Sequence, residues 1–233
     1  GSRRVKLSII VPTLNEAEGI AAHLEALAPL RQRGAEVIVA DGGSRDGTVE
    51  RAAGLADKVL TARRGRAAQM NAGAAAASGA AILFLHADTR LPAAADRLVA
   101  DALAAGSEWG RFDVRIDGRH PLLGVVARAM NLRSRATGIA TGDQAIFVTR
   151  EAFHAIGGYA DIPLMEDIVL SRALRRRSRP ACLSATVTTS GRRWEAGGVL
   201  CTIVTMWRLR LAFYLGADPR RLACAYGYGG RDA

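Results

Sequence analysis

Through the first half of the chain, short apolar runs alternate with segments of helical periodicity. That alternation commits the chain to βαβ units around a mainly parallel sheet. Residues 7–11, 36–40, 58–61 and 81–85 read as strands. Between them, helices read over 16–30, where Ile20, Leu24 and Leu27 share one face, from about Thr48, and over the alanine-rich 66–77. After a further helix at 93–105 the order changes. Residues 111–116 alternate like a half-exposed strand, 124–135 are helical, and 144–149 and 185–189 are strands, so a mixed sheet is expected.

A chain of 233 residues can bury one substantial core, and no linker or charge block divides it, so a single domain over 1–233 is expected. Cys182, Cys201 and Cys224 are odd in number and lack C-x-x-C spacing, which fits a reducing, cytoplasmic setting. No secretory signal opens the chain, and Gly1-Ser2 reads as a tag remnant. The apolar run 199–207 is too short to span a bilayer. A net charge of +10 admits nucleic acid, anionic lipid or a phosphorylated substrate. With 5% aromatics, no zinc-finger spacing and no helix-turn-helix pattern, nucleic acid is disfavoured. Arg175, Arg176, Arg177 and Arg179, before Pro180, read as a solvated helix end. Segment 206–215, with Trp207, Arg208, Leu209, Arg210, Leu211, Phe213 and Tyr214, reads as a core helix with snorkelling arginines rather than an interfacial one.

Several turns carry residues suited to chemistry. In ILFLHADTRLP, His86 and Asp88 stand at i and i+2, which on an extended chain puts both on one face at a strand's carboxyl end. Such a pair can hold a hard divalent ion against a diphosphate; the structural alternative is Asp88 capping the helix near Pro92. In DGGSRDGT, Asp41 ends a strand, Gly42 and Gly43 allow close backbone approach, and Ser44, Asp46 and Thr48 can cap the next helix. The Asp41 carboxylate can accept hydrogen bonds from a base or ribose. The first turn reads PTLNE and lacks G-x-G-x-x-G, which argues against a dinucleotide fold. Acidic Glu166 and Asp167 of MEDIVL suit either proton transfer or a helix first turn. Asp143 and Gln144 lie in a turn, and Trp194 beside Arg192 and Arg193 suits a ligand or the core. His23, His120 and His154 lack ligand spacing.

The pieces PTLNEAE, DGGSRDGT, GRAAQMNAG, HAD and MEDIVL, in that order from Leu7 to about Arg176, together resemble the family 2 glycosyltransferases of the GT-A fold. The short length, GDQAIF and SGRRWEAGG resemble further a compact bacterial subgroup of arsenosugar-biosynthesis or selenodomain-associated transferases. The resemblance implies an α/β, Rossmann-like mixed sheet, with residues 7–118 binding a nucleotide sugar and 119–233 forming the acceptor and catalytic half. It implies that Pro12, Thr13 and Glu16 line the nucleotide turn and that Asp41 recognises uracil or ribose. Arg66 would meet the diphosphate, with Asn71 and Gly73 in support. Asp88 would be the last carboxylate of the family's D-x-D, a ligand for Mn2+ or Mg2+. His86 stands where the first Asp would be, which favours Mn2+ and leaves metal and ribose both open as its partner.

By the same resemblance, Asp167 is the base of a metal-dependent, inverting transfer from a UDP-sugar to a small-molecule or lipid-linked acceptor. Glu166 would orient it or touch the acceptor, Asp143 and Gln144 would reach the sugar, and Trp194 would close over donor or acceptor. Peripheral membrane contact is compatible with this reading, and nucleic acid is not an expected partner. The alternatives are a sugar nucleotidyltransferase, whose G-G-x-G-T-R opening is missing, and a basic membrane-surface or RNA-binding module without catalysis.

Overall fold

The computed structural model describes residues 5–225; Gly1-Ser2 and the last residues of the expected domain lie outside them. In chain order the elements are β1 (Leu7–Thr13), α1 (Ile20–Gln32), β2 (Glu36–Asp41), α2 (Thr48–Ala52), β3 (Lys58–Thr61), α3 (Arg66–Ala76) and β4 (Ala81–Phe84). There follow β5 (Thr89–Arg90), α4 (Ala95–Ala104), β6 (Trp109–Asp117), α5 (Leu122–Thr137), a 3-10 turn (Gly142–Gln144), β7 (Phe147–Thr149) and α6 (Arg150–Ala155). The last are α7 (Glu166–Arg177), β8 (Ala181–Ser190), α8 (Arg192–Ala196), α9 (Val199–Tyr214) and α10 (Pro219–Ala225).

The strands form one sheet in the order β3-β2-β1-β4-β7-β6-β8-β5. Strands β1 to β4 run parallel, β7 reverses against both β4 and β6, and β8 returns parallel to β6. This is the mixed, mainly parallel α/β sheet that the alternating pattern predicts. Adjacent residues of one strand serve opposite faces: Ile9, Val37 and Leu83 pack with Leu24 and Leu27 of α1 and Val99 of α4. Ile10, Ile38 and Ile82 pack with Met70 of α3, Phe153 of α6 and Leu170 of α7. Burial on both faces is why β1 and β2 are nearly unbroken apolar runs. Gly73 lets α3 approach β1 closely, since a Cβ there would sit 2.3 Å from Ile10 Cγ2.

Three expectations need correction. The first helix begins at Ile20 rather than at residue 16, because the N–H groups of Glu16 and Ala17 are taken by side chains of the next loop. The strand expected over 144–149 pairs only from Phe147, since Thr141 and Gln144 cap each other around the 3-10 turn. The segment 206–215 is not a core helix. Leu209 packs on Ile139, Met165 and Ile168, but Trp207 is 75% and Leu215 80% exposed. Leu200, Val204 and Leu211 are also exposed, and their spacing places them on one side of α9 with Trp207 and Leu215. No helix among the described residues is long and apolar enough to cross a membrane.

Candidate active site

The carboxyl ends of β1 and β2 carry two loops that are laced together. The N–H groups of Asn15, Glu16 and Ala17 donate to Ser44 Oγ, Thr48 Oγ1 and Asp46 Oδ2 at 2.8, 2.9 and 3.1 Å. In return the Arg45 N–H donates to Asn15 Oδ1 at 3.0 Å. Asp41 is 1% exposed. Its Oδ2 accepts the N–H groups of Gly43 and Ser44, and its Oδ1 accepts the hydroxyls of Ser44 and Thr13. A carboxylate offers about four lone-pair directions, and here its own loop takes three of them and Thr13 of β1 the fourth. The expected contact of Asp41 with a base or ribose therefore needs one loop donor to give way. Gly43, at φ +90, holds the bend beneath this carboxylate, a conformation that L side chains rarely adopt.

Helix α3 starts beneath these loops. Gln69, one turn after Arg66, is buried, and its Nε2 donates to the carbonyls of Thr13 and Ala40 at 2.6 and 2.8 Å. It thereby ties the ends of β1 and β2, a role that sequence reasoning missed. The signal was present in the GRAAQMNAG motif, where the Gln lies on the Arg66 side of the helix. Asn71, expected to support the donor site, spends its amide elsewhere. Its Nδ2 donates to the Tyr159 carbonyl and its Oδ1 accepts the Tyr159 N–H, both at 2.9 Å. It pins Tyr159, whose ring stacks edge-on with Phe84 at 4.9 Å.

Past β4 the chain does not stay extended. The strand ends at Phe84, and the Thr89 N–H donates to the His86 carbonyl at 3.0 Å, closing a turn over 86–89. The i, i+2 alternation expected for His86 and Asp88 fails there. His86 turns toward the 3-10 turn, its Nδ1 lying 3.3 Å from Asp143 Oδ1. Its Nε2 is buried, without a hydrogen-bond partner among the described residues, against Gly142, where a Cβ would come within 2.5 Å. Asp88 is exposed, and its Oδ1 accepts from Thr89 Oγ1 at 3.3 Å. No group of three His, Cys, Asp or Glu side chains among the described residues is arranged to hold a metal ion. Asp88 suits an ion that takes its other ligands from a diphosphate and water. His86, with Nε2 buried against Gly142 and Nδ1 facing Asp143, would have to turn its ring to join such an ion. Gln144 is wholly buried, with bonds to Thr141, Asn131 and Ser134, so the expected sugar contact is corrected to a structural role.

The proposed base lies on the far side of Gly142. Glu166 and Asp167 open α7, preceded by Met165 in the left-handed region at φ +69. Among the described residues, the non-glycine ones of positive φ, Asn15, Ala145 and Met165, all sit in loops of this site. Asp167 is half-buried, its Oδ2 accepting the Gly142 N–H at 3.0 Å and its Oδ1 the Ile168 N–H at 2.8 Å. Desolvation and then the neighbouring Glu166 charge push the Asp167 carboxyl up to about 6, against the pull of those two N–H groups and of Arg66. Glu166 is buried and meets Arg66 Nη1 at 3.4 Å. Desolvation first, then Glu166 and Asp167, hold the Tyr159 phenol protonated well above its ordinary range.

A continuous path thus runs from Arg66 through Glu166, Asp167 and Gly142 to His86 and Asp143. Trp194 is not on it. It packs with Leu123, Ala127 and Val199, in the core alternative read for it from sequence.

The family model described as Glycosyl transferase family 2 matches residues 8–149. The succinoglycan biosynthesis protein ExoA of Rhizobium meliloti (strain 1021) is 34% identical over 172 residues, 65% of this chain and 52% of its own length. The chain thus spans about half the length of that curated relative. Among solved structures, S. aureus TarS 1–349 in complex with UDP-GlcNAc is similar at TM-score 0.65 and 20% identity, over 80% of this chain and 59% of that one. The mannosyltransferase PcManGT from Pyrobaculum calidifontis, in complex with GDP-Man and Mn2+, gives 0.64 and 21% over 99% and 66%. At these identities the structural likeness carries the fold, the GT-A architecture.

Proposed function

The chain belongs to glycosyl transferase family 2, and from that membership we propose that it transfers a sugar, with inversion, from a UDP-sugar to an acceptor hydroxyl. The observation that carries this reading is the place of Asp167, bonded to the Gly142 N–H and next to the Glu166–Arg66 pair at the junction of the two halves, with its carboxyl pushed up by desolvation. In the proposed step one Asp167 oxygen takes the acceptor's O–H proton as that oxygen attacks the anomeric carbon. The bond from that carbon to the diphosphate oxygen breaks, and the diphosphate leaves. Glu166 raises the basicity of Asp167 by its charge, and Arg66, paired with Glu166, supplies a cation to the departing diphosphate in this reading.

Residues 7–118 hold the donor in this reading. Pro12, Thr13 and Glu16 supply one wall, and Asp41 shapes the other by ordering Gly43 and Ser44. A Mn2+ or Mg2+ ion at Asp88 would neutralise charge on the leaving diphosphate. Asp143, 38% exposed beside His86, meets the transferred sugar in this reading. Residues 119–233 take the acceptor, a small molecule or a lipid-linked one, and the open apolar side of α9 supports contact with a cytoplasmic membrane surface. GDQAIF and SGRRWEAGG support placement in the compact arsenosugar or selenodomain-associated subgroup.

The test is thermal stabilisation by UDP, GDP, CDP and dTDP with Mn2+ or Mg2+. A ligand at about 100-fold over its Kd stabilises the native state by about 2.7 kcal/mol. UDP with Mn2+ is expected to raise Tm more than the two separate shifts combined, and Asp88→Asn to abolish the excess. Simple additivity in the parent would remove the ion from the donor site.

A further inference from the structure

Two arginines in the acceptor half carry buried N–H groups that nothing among the described residues satisfies. Arg111 on β6 is fully buried; its Nη1 donates to Asp113 and its Nη2 to the Asn131 carbonyl, but its Nε has no partner among the described residues. Arg133 on α5 has both Nε and Nη2 buried and without a partner among the described residues. Asp113, the carboxylate bonded to Arg111, is shared with Arg135 at 2.6 Å. The charges of Asp167 and Tyr214 favour the Arg133 cation, and Arg111 repels it.

Burying a cation with its donors unsatisfied is among the least favourable arrangements in a protein interior. Desolvation accordingly lowers the Arg133 guanidinium from its ordinary range. A group that only served the fold would bond to a carbonyl or a carboxylate, as Arg175 does with Thr137 at 2.5 Å and Arg33 with Asp96 at 2.8 Å. Arg133 instead leaves its buried Nε and Nη2 without a partner among the described residues, within the field of Asp167.

We propose that Arg133, backed by Arg111, seats an anionic group of the acceptor, a phosphate or a carboxylate, and so holds the acceptor hydroxyl beside Asp167. The assignment to the acceptor rests on the reading of Asp167 as base; the anion site itself does not. The planar guanidinium suits either anion through paired, charge-assisted hydrogen bonds.

The probes are inorganic phosphate and malonate, titrated at matched ionic strength against chloride into protein saturated with UDP and Mg2+, so that the donor's diphosphate cradle is filled. Tm and calorimetric binding are both read. Phosphate or malonate is expected to stabilise the parent beyond chloride, and the stronger of the two names the acceptor's anion. Arg133→Met should weaken that binding at least about tenfold, as loss of a charge-assisted contact does. It should keep the UDP response and, without anion, melt no lower than the parent, because an unpaired buried charge is gone. Arg133→Lys should bind in between, and Arg97→Met, at an exposed position of α4, should match the parent. Asp167→Asn should retain the anion response, which separates failure of this site from failure of the base. No stabilisation beyond chloride, or an Arg133→Met variant that binds the anion as the parent does while melting lower, would overturn the proposal.

Discussion

Asp167 joins the two roles that sequence left open, helix first turn and base, because both depend on the same two N–H groups. Its carboxyl is raised from 3.8 to about 6 by desolvation and by Glu166. The protonated form is therefore the one the fold favours. Stability from this group is full below pH 3.8 and lost as pH rises through about 6, a cost near neutrality of about 3 kcal/mol at most. A base must be ionised, so kcat/KM is expected to fall on the acid side with an apparent midpoint near 6. Asp167→Asn removes the charge but keeps an oxygen that can accept the Gly142 or Ile168 N–H. We expect UDP affinity to persist, Tm at pH 7.5 to hold or rise, and turnover to fall about 10²-fold or more. Near-parental turnover would move the base to Glu166 or Asp143.

The strands of the donor half are tied by polar groups as well as by apolar faces. Glu36 begins β2, nearly buried, accepting from Ser8 Oγ of β1 at 2.6 Å and from the Ser78 N–H at 2.8 Å, with Lys58 of β3 at 3.0 Å. Desolvation alone would raise its carboxyl; the Ser78 N–H, the Ser8 hydroxyl and Lys58 outweigh it and bring the value down from 4.5 to about 2. Here the sign is opposite to that of Asp167. The stabilisation is full above pH 4.5 and lost as pH falls toward 2, and it amounts to about 3 kcal/mol at most. Glu36→Gln should lower Tm at pH 7 by about 4–8 °C, for a loss of about 2 kcal/mol in a chain of this size. The gap to the parent should narrow as thermal melts are repeated down to pH 3. A gap independent of pH would assign the loss to packing.

Across the molecule, +10 of net charge is carried with an open apolar side on α9. These two features separate the basic partners. Nucleic acid is held mainly by charge, so its affinity collapses as salt rises. An anionic membrane adds apolar burial by Leu200, Val204, Trp207, Leu211 and Leu215, which salt does not screen. Sedimentation with phosphatidylglycerol vesicles is expected to persist at physiological salt while RNA binding fades, and Trp207→Asp to abolish the persistent part. Tight RNA binding at that salt would favour the non-catalytic module.

What the sequence determined by itself was local: strand and helix alternation, loop composition and the order of the motifs. Each depends on residues a few positions apart, so the mixed sheet and the candidates from Pro12 to Asp167 were legible. Which polar groups are still free to bind a ligand was not. Asn71 is spent on Tyr159, 88 residues away, Gln144 on α5, and Asp41 on its own loop and on Thr13, 28 residues back. Arg66 meets Glu166 across 100 residues of chain, and the Gly142 N–H reaches Asp167 across 25. His86 and Asp88 part company because a turn replaces the extended chain that alternation assumed. Hydrogen-bond capacity is used up by whichever partners the tertiary fold brings near, and desolvation is set by what packs around a group. Spacing along the chain encodes neither, so only the folded structure decided that Asp167 is a raised carboxyl and that Arg133 Nε and Nη2 are buried without a partner among the described residues.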